Sequence, residues 1–274
     1  MRSLSAILPF IFIGAVAGGL CLEALCSSGA AASGFGPSPW QEAARYMDRL
    51  GAKLSSAGEH AAALECFNES LEQNSSYADA WVHRAGSEKA LKNYNASRAS
   101  LQKAVEADRR NAAAWSALAD ALSMEGDYEN ASAAAAELVR IDAKNKACWL
   151  KKGNIEQMRG NFPTAETDYN RAIDIDPKYK DALYRKALCA LHDNDTDQAL
   201  ELLDLVLTLD PKYKQASTAK GLALQAQGEY EGAVKSFDKA LETDARWTPA
   251  LAGKMNALLA LGRDREAADI LIRL

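Results

Sequence analysis

The chain has 274 residues, of which 48% are apolar and 25% charged, a composition that is ordinary for a folded protein with a buried core. The net charge of -5 excludes a nucleic-acid-binding surface, because neutralising phosphates requires a dense cluster of cations. Beyond the N-terminal segment the cysteines are Cys66, Cys148 and Cys189, and this wide spacing predicts small buried residues rather than disulfides or a zinc site.

The N-terminal segment, residues 1–26, has one basic residue, Arg2, and then an apolar run from Leu4 to Leu22. This pattern is typical of an export signal, and its length also approaches the ~20 residues that span a bilayer. A linker of small residues follows over residues 27–37, so both a cleaved signal peptide and an uncleaved membrane anchor stay open. The basic Arg2 would stay on the inner side of the membrane. Both interpretations therefore predict that the rest of the chain lies outside the membrane, either secreted or anchored to it.

Acceptor patterns for N-glycosylation support export independently. Five asparagines precede Ser or Thr by two residues, as secreted glycoproteins require. The candidate glycosylation sites are Asn68, Asn74, Asn95, Asn130 and Asn194.

A period of 34 residues runs through the rest of the chain and is marked by Trp81, Trp115 and Trp149. Seven units start at residues 44, 78, 112, 146, 180, 214 and 248, without an insertion between them. The eighth position is small in six units, and the fifteenth is glycine in five. The twentieth position reads Ala63, Ser97, Ala131, Ala165, Ala199, Ala233 and Ala267.

Each unit carries two apolar stripes of helical period. In the third unit, apolar residues recur at steps of three and four on both sides of Gly126 and Asp127, which predicts two helices joined by a turn. Glycine at the fifteenth position supplies the left-handed residue that ends the first helix. Ser38 and Gln41 have the spacing of a capping box, so the first helix is expected to begin there. No segment alternates like a strand, and the fold class is therefore all-α.

The residues at the fourth, eighth, fifteenth, seventeenth, twentieth, twenty-fourth and twenty-eighth positions resemble the tetratricopeptide repeat family. The resemblance covers Ala44 to Leu274, and the domain is assigned to residues 38–274. It implies a right-handed α-solenoid of seven helix-turn-helix units whose first helices line a concave groove for a peptide or a partner's helix. One departure is the seventh position, usually leucine, which is Arg84, Lys152, Lys186, Lys220 or Lys254 in five units.

The groove that this resemblance implies changes character along the chain. Early units place charged and polar residues there, including Asp48, Asp79, Asp120 and Ser123. Later units place amides, aliphatic residues and aromatic rings, which suits a peptide whose backbone pairs with amides. The predicted partner-binding residues are Asn154, Gln157, Tyr184, Leu188, His192, Gln215, Gln225 and Asn256.

Catalytic and metal chemistry find little support in the sequence. His60, His83 and His192 lie in different units, and no nucleophile can be paired with a base. We therefore predict that the chain is not an enzyme, has no catalytic residues and binds no metal or cofactor. The run from Asp193 to Asp197 resembles a calcium loop, but it has Gln198 where glycine is needed and coincides with an expected turn.

The end of the sequence gives one more expectation. No polar capping helix follows the last repeat, so Ile270, Ile272 and Leu274 are predicted to form an apolar edge for self-association or partner docking. The leading hypothesis for the whole chain is a protein-interaction scaffold outside the membrane, which would touch the membrane only through its N-terminal segment. The alternatives are an accessory subunit that presents substrates to an envelope processing or glycosylation enzyme, and a protein that binds calcium or a small ligand.

Overall fold

The computed structural model describes residues 38–271, and every regular element in that range is a helix. The helices form seven hairpins, one for each sequence unit. Their first helices are α1 (Pro39–Ser56), α3 (Ala78–Ala90), α5 (Ala112–Met124), α7 (Lys146–Met158), α9 (Lys180–His192), α11 (Lys214–Ala226) and α13 (Thr248–Ala260). Their second helices are α2 (His60–Gln73), α4 (Tyr94–Ala107), α6 (Tyr128–Ile141), α8 (Phe162–Ile175), α10 (Thr196–Leu209), α12 (Tyr230–Thr243) and α14 (Asp264–Leu271).

The repeats form one compact unit that begins at Ala44, the first residue of the repeat frame. The predicted export segment and its linker lie outside the described residues. Within the described range, no helix is long and apolar enough to cross a membrane.

The repeat frame predicts where the helices begin. From the second unit onward, each first helix begins at the first position of its unit, and every second helix begins at the seventeenth. The capping box at the start of α1 is confirmed: the Ser38 N–H donates to Gln41 Oε1 over 3.0 Å, and the Gln41 N–H donates to Ser38 Oγ over 3.4 Å.

All seven hairpin turns have a left-handed residue at the fifteenth position. Five units use glycine, while Lys92 and Asn194 adopt φ angles of 63° and 61° in the second and fifth units. Side chains are strained in this conformation, which explains why glycine predominates there.

At the seventh position, where the sequence departs from the family pattern, the four lysines form ion pairs with second helices, whereas Arg84 pairs with Glu88 on its own helix. Lys152 Nζ lies 2.7 Å from Asp168 Oδ1 in its own unit, and Lys254 Nζ lies 2.6 Å from Asp238 Oδ1 in the preceding unit. Lys220 pairs with Asp204 of the preceding unit in the same way. These lysines therefore link helices that leucine would join by apolar contact.

The core runs along the array between neighbouring helices and consists largely of alanine and leucine. Cys66, Cys148 and Cys189 are buried and unbridged, as predicted. Burial raises the pKa of the Cys189 thiol to about 11, so this thiol stays protonated and acts as a small apolar side chain.

Candidate functional site

The first helices approach one another more closely than the second helices do. Contacts join α3 to α5, α7 to α9, α9 to α11 and α11 to α13, and no successive second helices have comparable contacts in the described range. The first helices therefore form the inner surface of the array, and the second helices form the outer surface.

The eight predicted partner-binding residues all lie on first helices of the fourth to seventh units. Three of them are exposed, namely His192, Gln215 and Asn256, and the other five are partly buried. Nothing in the structure shows a partner bound to them, so their role remains a prediction.

Tyr169 on α8 supports the amides of α7 from beneath the inner surface. Its hydroxyl oxygen lies 3.1 Å from Asn154 Oδ1 and 2.9 Å from Gln157 Oε1. Burial raises the pKa of Tyr169, so the hydroxyl keeps its proton and can donate it to one of the two amides. Tyr169 is not among the residues predicted from the sequence, although an aromatic ring at the twenty-fourth position of its unit could have indicated it.

The aromatic part of the inner surface lies on α9. The Tyr184 ring centroid lies 5.3 Å from that of Tyr213, whose hydroxyl donates to Asp181 Oδ1 over 3.0 Å. His192 stacks on Phe162 of α8, with ring centroids 3.5 Å apart and an angle of 13° between the planes. Tyr184 and His192 therefore pack against aromatic neighbours, Tyr213 and Phe162, that were not predicted from the sequence.

Aliphatic side chains are most accessible on α11 and α13. Leu222 and Leu259 are each 50% exposed, and Leu188 on α9 is partly buried. The Oε1 atom of Gln225 is buried and has no hydrogen-bond partner within the described residues. This part of the inner surface is thus mainly open apolar area, and the Gln225 oxygen lies buried beneath it.

The acidic residues of the early units are already engaged. Asp48 is buried, and its Oδ1 lies 2.7 Å from His83 Nδ1; this hydrogen bond raises the pKa of His83. Asp79 accepts a hydrogen bond from Asn111 over 2.9 Å, and Asp120 Oδ1 lies 2.5 Å from the amine of Lys151. All three carboxylates therefore have partners inside the protein, and Asp120 is neutralised by Lys151.

The calcium-like run forms the turn between α9 and α10. Asp195 caps α10 by accepting a hydrogen bond from the Gln198 N–H over 3.1 Å, which is the structural role expected for a turn carboxylate. Among residues 38–270, no group of three or more acidic, histidine or cysteine side chains is arranged to hold a metal ion.

The five candidate glycosylation sites lie away from the first helices. Asn68, Asn95 and Asn130 are exposed on second helices, Asn74 follows the end of α2, and Asn194 is exposed in a hairpin turn. The inner surface therefore carries none of them.

The predicted apolar edge at the end of the array needs correction. Ile270 is only 4% exposed and packs in the same cluster as Leu251 and Leu258. Because α14 turns this side chain toward α13, Ile270 belongs to the core and cannot form a docking surface. Ile272 and Leu274 lie outside the described residues.

Comparisons with known proteins agree with this architecture. Tetratricopeptide repeat models match residues 84–146, 150–214 and 215–246. No curated protein is significantly similar to the chain.

Among solved structures, the chain is similar to YrrB, which is described as a tetratricopeptide repeat protein with an unusual peptide-binding site. The two are 20% identical, the match covers 70% of this chain and 98% of YrrB, and the TM-score is 0.56. A tetratricopeptide repeat protein from Parabacteroides merdae is 12% identical over 83% of this chain and 90% of that one, with a TM-score of 0.69. PilW, described as a widely conserved type IV pilus biogenesis factor, is 15% identical over 74% and 94%, with a TM-score of 0.63.

These likenesses show a shared fold, and the matched repeats cover more than half of the sequence. They agree with the array of helical hairpins in the described residues. The chain therefore belongs to the tetratricopeptide repeat family.

Proposed function

We propose that the chain is a non-catalytic scaffold that binds a peptide or an extended partner segment along the inner surface of its fourth to seventh units. Membership of the tetratricopeptide repeat family supports a protein-interaction role. The similarity to YrrB, whose structure is described as having a peptide-binding site, supports a peptide ligand.

The observation that carries this proposal is the exposed pair Leu222 and Leu259 on neighbouring first helices. Aliphatic side chains of a ligand would bury their apolar area between these two leucines. The amides of Gln225 and Asn256 flank them on the same helices and would pair with the ligand's backbone. An uncharged segment suits this part of the surface best, because the two leucines and the two amides that form it are uncharged.

We place this activity outside the membrane. The N-terminal segment has the pattern of an export signal or an anchor, and the five acceptor asparagines lie on turns and second helices. Glycans at these positions would cover the outer surface and leave the inner surface open. A structural subunit that presents substrates to an envelope enzyme would use the same groove and would differ only in its partner.

Site-specific photo-crosslinking of the full chain in its native cell tests the proposal. We expect a photoreactive amino acid at residue 222 to capture a protein partner, and the same residue at position 205 to capture none. Leu205 is a matched control because it is 42% exposed but lies on the second helix α10. Mass spectrometry of the adduct would identify the partner, and would also show whether residues 1–26 are retained and which asparagines carry glycans.

Charge substitution provides the second arm of this test. Leu222→Asp combined with Leu259→Asp should abolish capture of the partner, whereas Leu205→Asp should leave it intact. Equal capture at positions 205 and 222, or full binding by the doubly substituted chain, would contradict a site on the inner surface.

A further inference from the structure

The fourth position of the repeat is large in every unit except the sixth. It reads Met47, Trp81, Trp115, Trp149, Leu183, Ser217 and Leu251 along the chain. In the second to fourth units the indole N–H donates to a carbonyl oxygen in the preceding inter-unit turn, over 2.9, 3.0 and 2.8 Å. The side chain at this position therefore covers the turn between two units, and serine in the sixth unit leaves that turn uncovered.

An open cleft occupies this place, between the outer helices α10 and α12. Its larger part has a volume of about 540 Å³ beside Leu207, Pro211, Lys212 and Lys239. A smaller part of about 250 Å³ adjoins it, shares Leu207 and Lys239, and reaches Ser217. The larger part alone is within the size range of small-molecule sites in proteins.

The polar groups of the cleft are mainly unused donors. Lys212 and Lys239 are exposed and have no ion-pair partner among the described residues, whereas Lys220 is neutralised by Asp204. The Ser217 hydroxyl is buried and makes no hydrogen bond to any described residue. Glu242 is the one acid of the cleft that forms no ion pair in the described range.

The neighbouring junction, between α8 and α10, shows which of these features are special. It keeps a lysine at the position of Lys212, which is Lys178, but it has Leu205 where the cleft has Lys239. It also has the buried Leu183 in place of Ser217. The combination of Lys212 and Lys239 with a small residue at the fourth position, Ser217, thus occurs only at the junction before the sixth unit.

We propose that this cleft binds a small anionic molecule through a phosphate or carboxylate group placed between Lys212 and Lys239. Two ammonium groups that form no ion pair with any described residue attract such a group, and the Ser217 hydroxyl lines the smaller part of the cleft. Leu207 and Pro211 provide an apolar wall for the rest of the molecule. The site lies on the outer surface and is independent of the proposed peptide groove.

Calorimetric titration of the full chain with pyrophosphate and, separately, with citrate tests the proposal and distinguishes the two anion chemistries. We expect at least one of them to bind, with affinity that falls as the salt concentration rises. Lys239→Leu, which recreates the neighbouring junction, should weaken binding about tenfold, and Glu242→Gln should strengthen it, because these changes remove an attractive and a repulsive charge. Lys178→Gln is the matched control and should have no effect.

Ser217→Trp tests the origin of the cleft, because it restores the residue found in three other units. It should abolish binding while the circular dichroism spectrum stays helical. If this variant fails to fold, the lysine variants still decide the question. The proposal is overturned if neither anion binds, if Lys178→Gln weakens binding as much as Lys239→Leu, or if an acidic peptide binds the cleft while both small anions do not.

Discussion

In the first six hairpins, the eighth residue of the first helix and the twenty-fourth residue on the second are matched in size. Where the eighth is glycine, the twenty-fourth is aromatic, and a β-carbon added to Gly51 would lie 2.6 Å from the Phe67 ring. Where the eighth is alanine, its partner is leucine or alanine. The glycine pairs are Gly51 with Phe67, Gly153 with Tyr169 and Gly221 with Phe237; the alanine pairs are Ala85 with Leu101, Ala119 with Ala135 and Ala187 with Leu203.

Gly51→Ala is therefore expected to destabilise the protein by about 1–3 kcal/mol, because overpacking outweighs the ~1 kcal/mol helix preference of alanine. Combining it with Phe67→Leu recreates the pair of the second unit, so the double variant should be more stable than the sum of the single effects predicts. Urea unfolding of the four proteins in the cycle measures this coupling.

Gly86→Ala is the control for this cycle, because an added β-carbon at Gly86 would meet no atom within 4 Å. This substitution should stabilise the protein through helix preference alone. If Gly51→Ala were as well tolerated as Gly86→Ala, the size matching would have no energetic weight.

The starts of the helices could be predicted from the sequence, but the contacts between side chains of different helices could not. The 34-residue frame predicts the start of every helix from α2 to α14, because caps, turn residues and apolar stripes are local signals. The partners of the seventh-position lysines could not be predicted. They depend on the rotation between packed helices, so Lys152 pairs within its own unit while Lys220 pairs with the preceding one. The contacts of the Tyr169 hydroxyl with Asn154 and Gln157 could not be predicted for the same reason.

Two of these ion pairs should differ widely in energetic weight. Asp168 is 3% exposed and would be left as a buried charge without Lys152, whereas Asp204 is 57% exposed and stays hydrated without Lys220. Burial raises the pKa of Asp168, while Lys152 opposes this rise by favouring the ionised carboxylate.

Lys152→Met is therefore expected to cost about 3–5 kcal/mol of unfolding free energy. Lys220→Met, at the same position of its unit, should cost less than about 1 kcal/mol. Denaturant midpoints at neutral pH compare the two variants. Adding Asp168→Asn to Lys152→Met should recover part of the loss, and equal costs for the two lysines would show that burial does not set the strength of these pairs.

At the scale of the whole molecule, each helix packs against its neighbours in the chain, and the described array ends with α14 held on α13. The sequence predicts an exposed apolar edge there, formed by Ile270, Ile272 and Leu274. The structure shows instead that Ile270 is buried against Leu251 and Leu258 of the preceding helix.

Ile270→Glu is accordingly expected to detach α14 and to cost about 2 kcal/mol or more, because it places a charge in the core. Hydrogen exchange should show early loss of protection in α14, while light scattering should report the same mass as for the unaltered chain. Ala268→Glu, on the exposed side of the same helix, is the control and should change neither. A change of mass without loss of protection would restore the docking interpretation.

The size matching within hairpins also constrains how such an array can be rearranged by recombination. Both members of each pair belong to the same unit, so a crossover in an inter-unit turn keeps them together. Phe237 also packs on Gly253 of the seventh unit, so these two units should be moved together. A crossover in a hairpin turn, for example between Gly126 and Gly160, would join Ala119 of one unit to Tyr169 of another. Viable duplications and deletions in this lineage are therefore expected to have their joints between units, and designed chimaeras should be cut there.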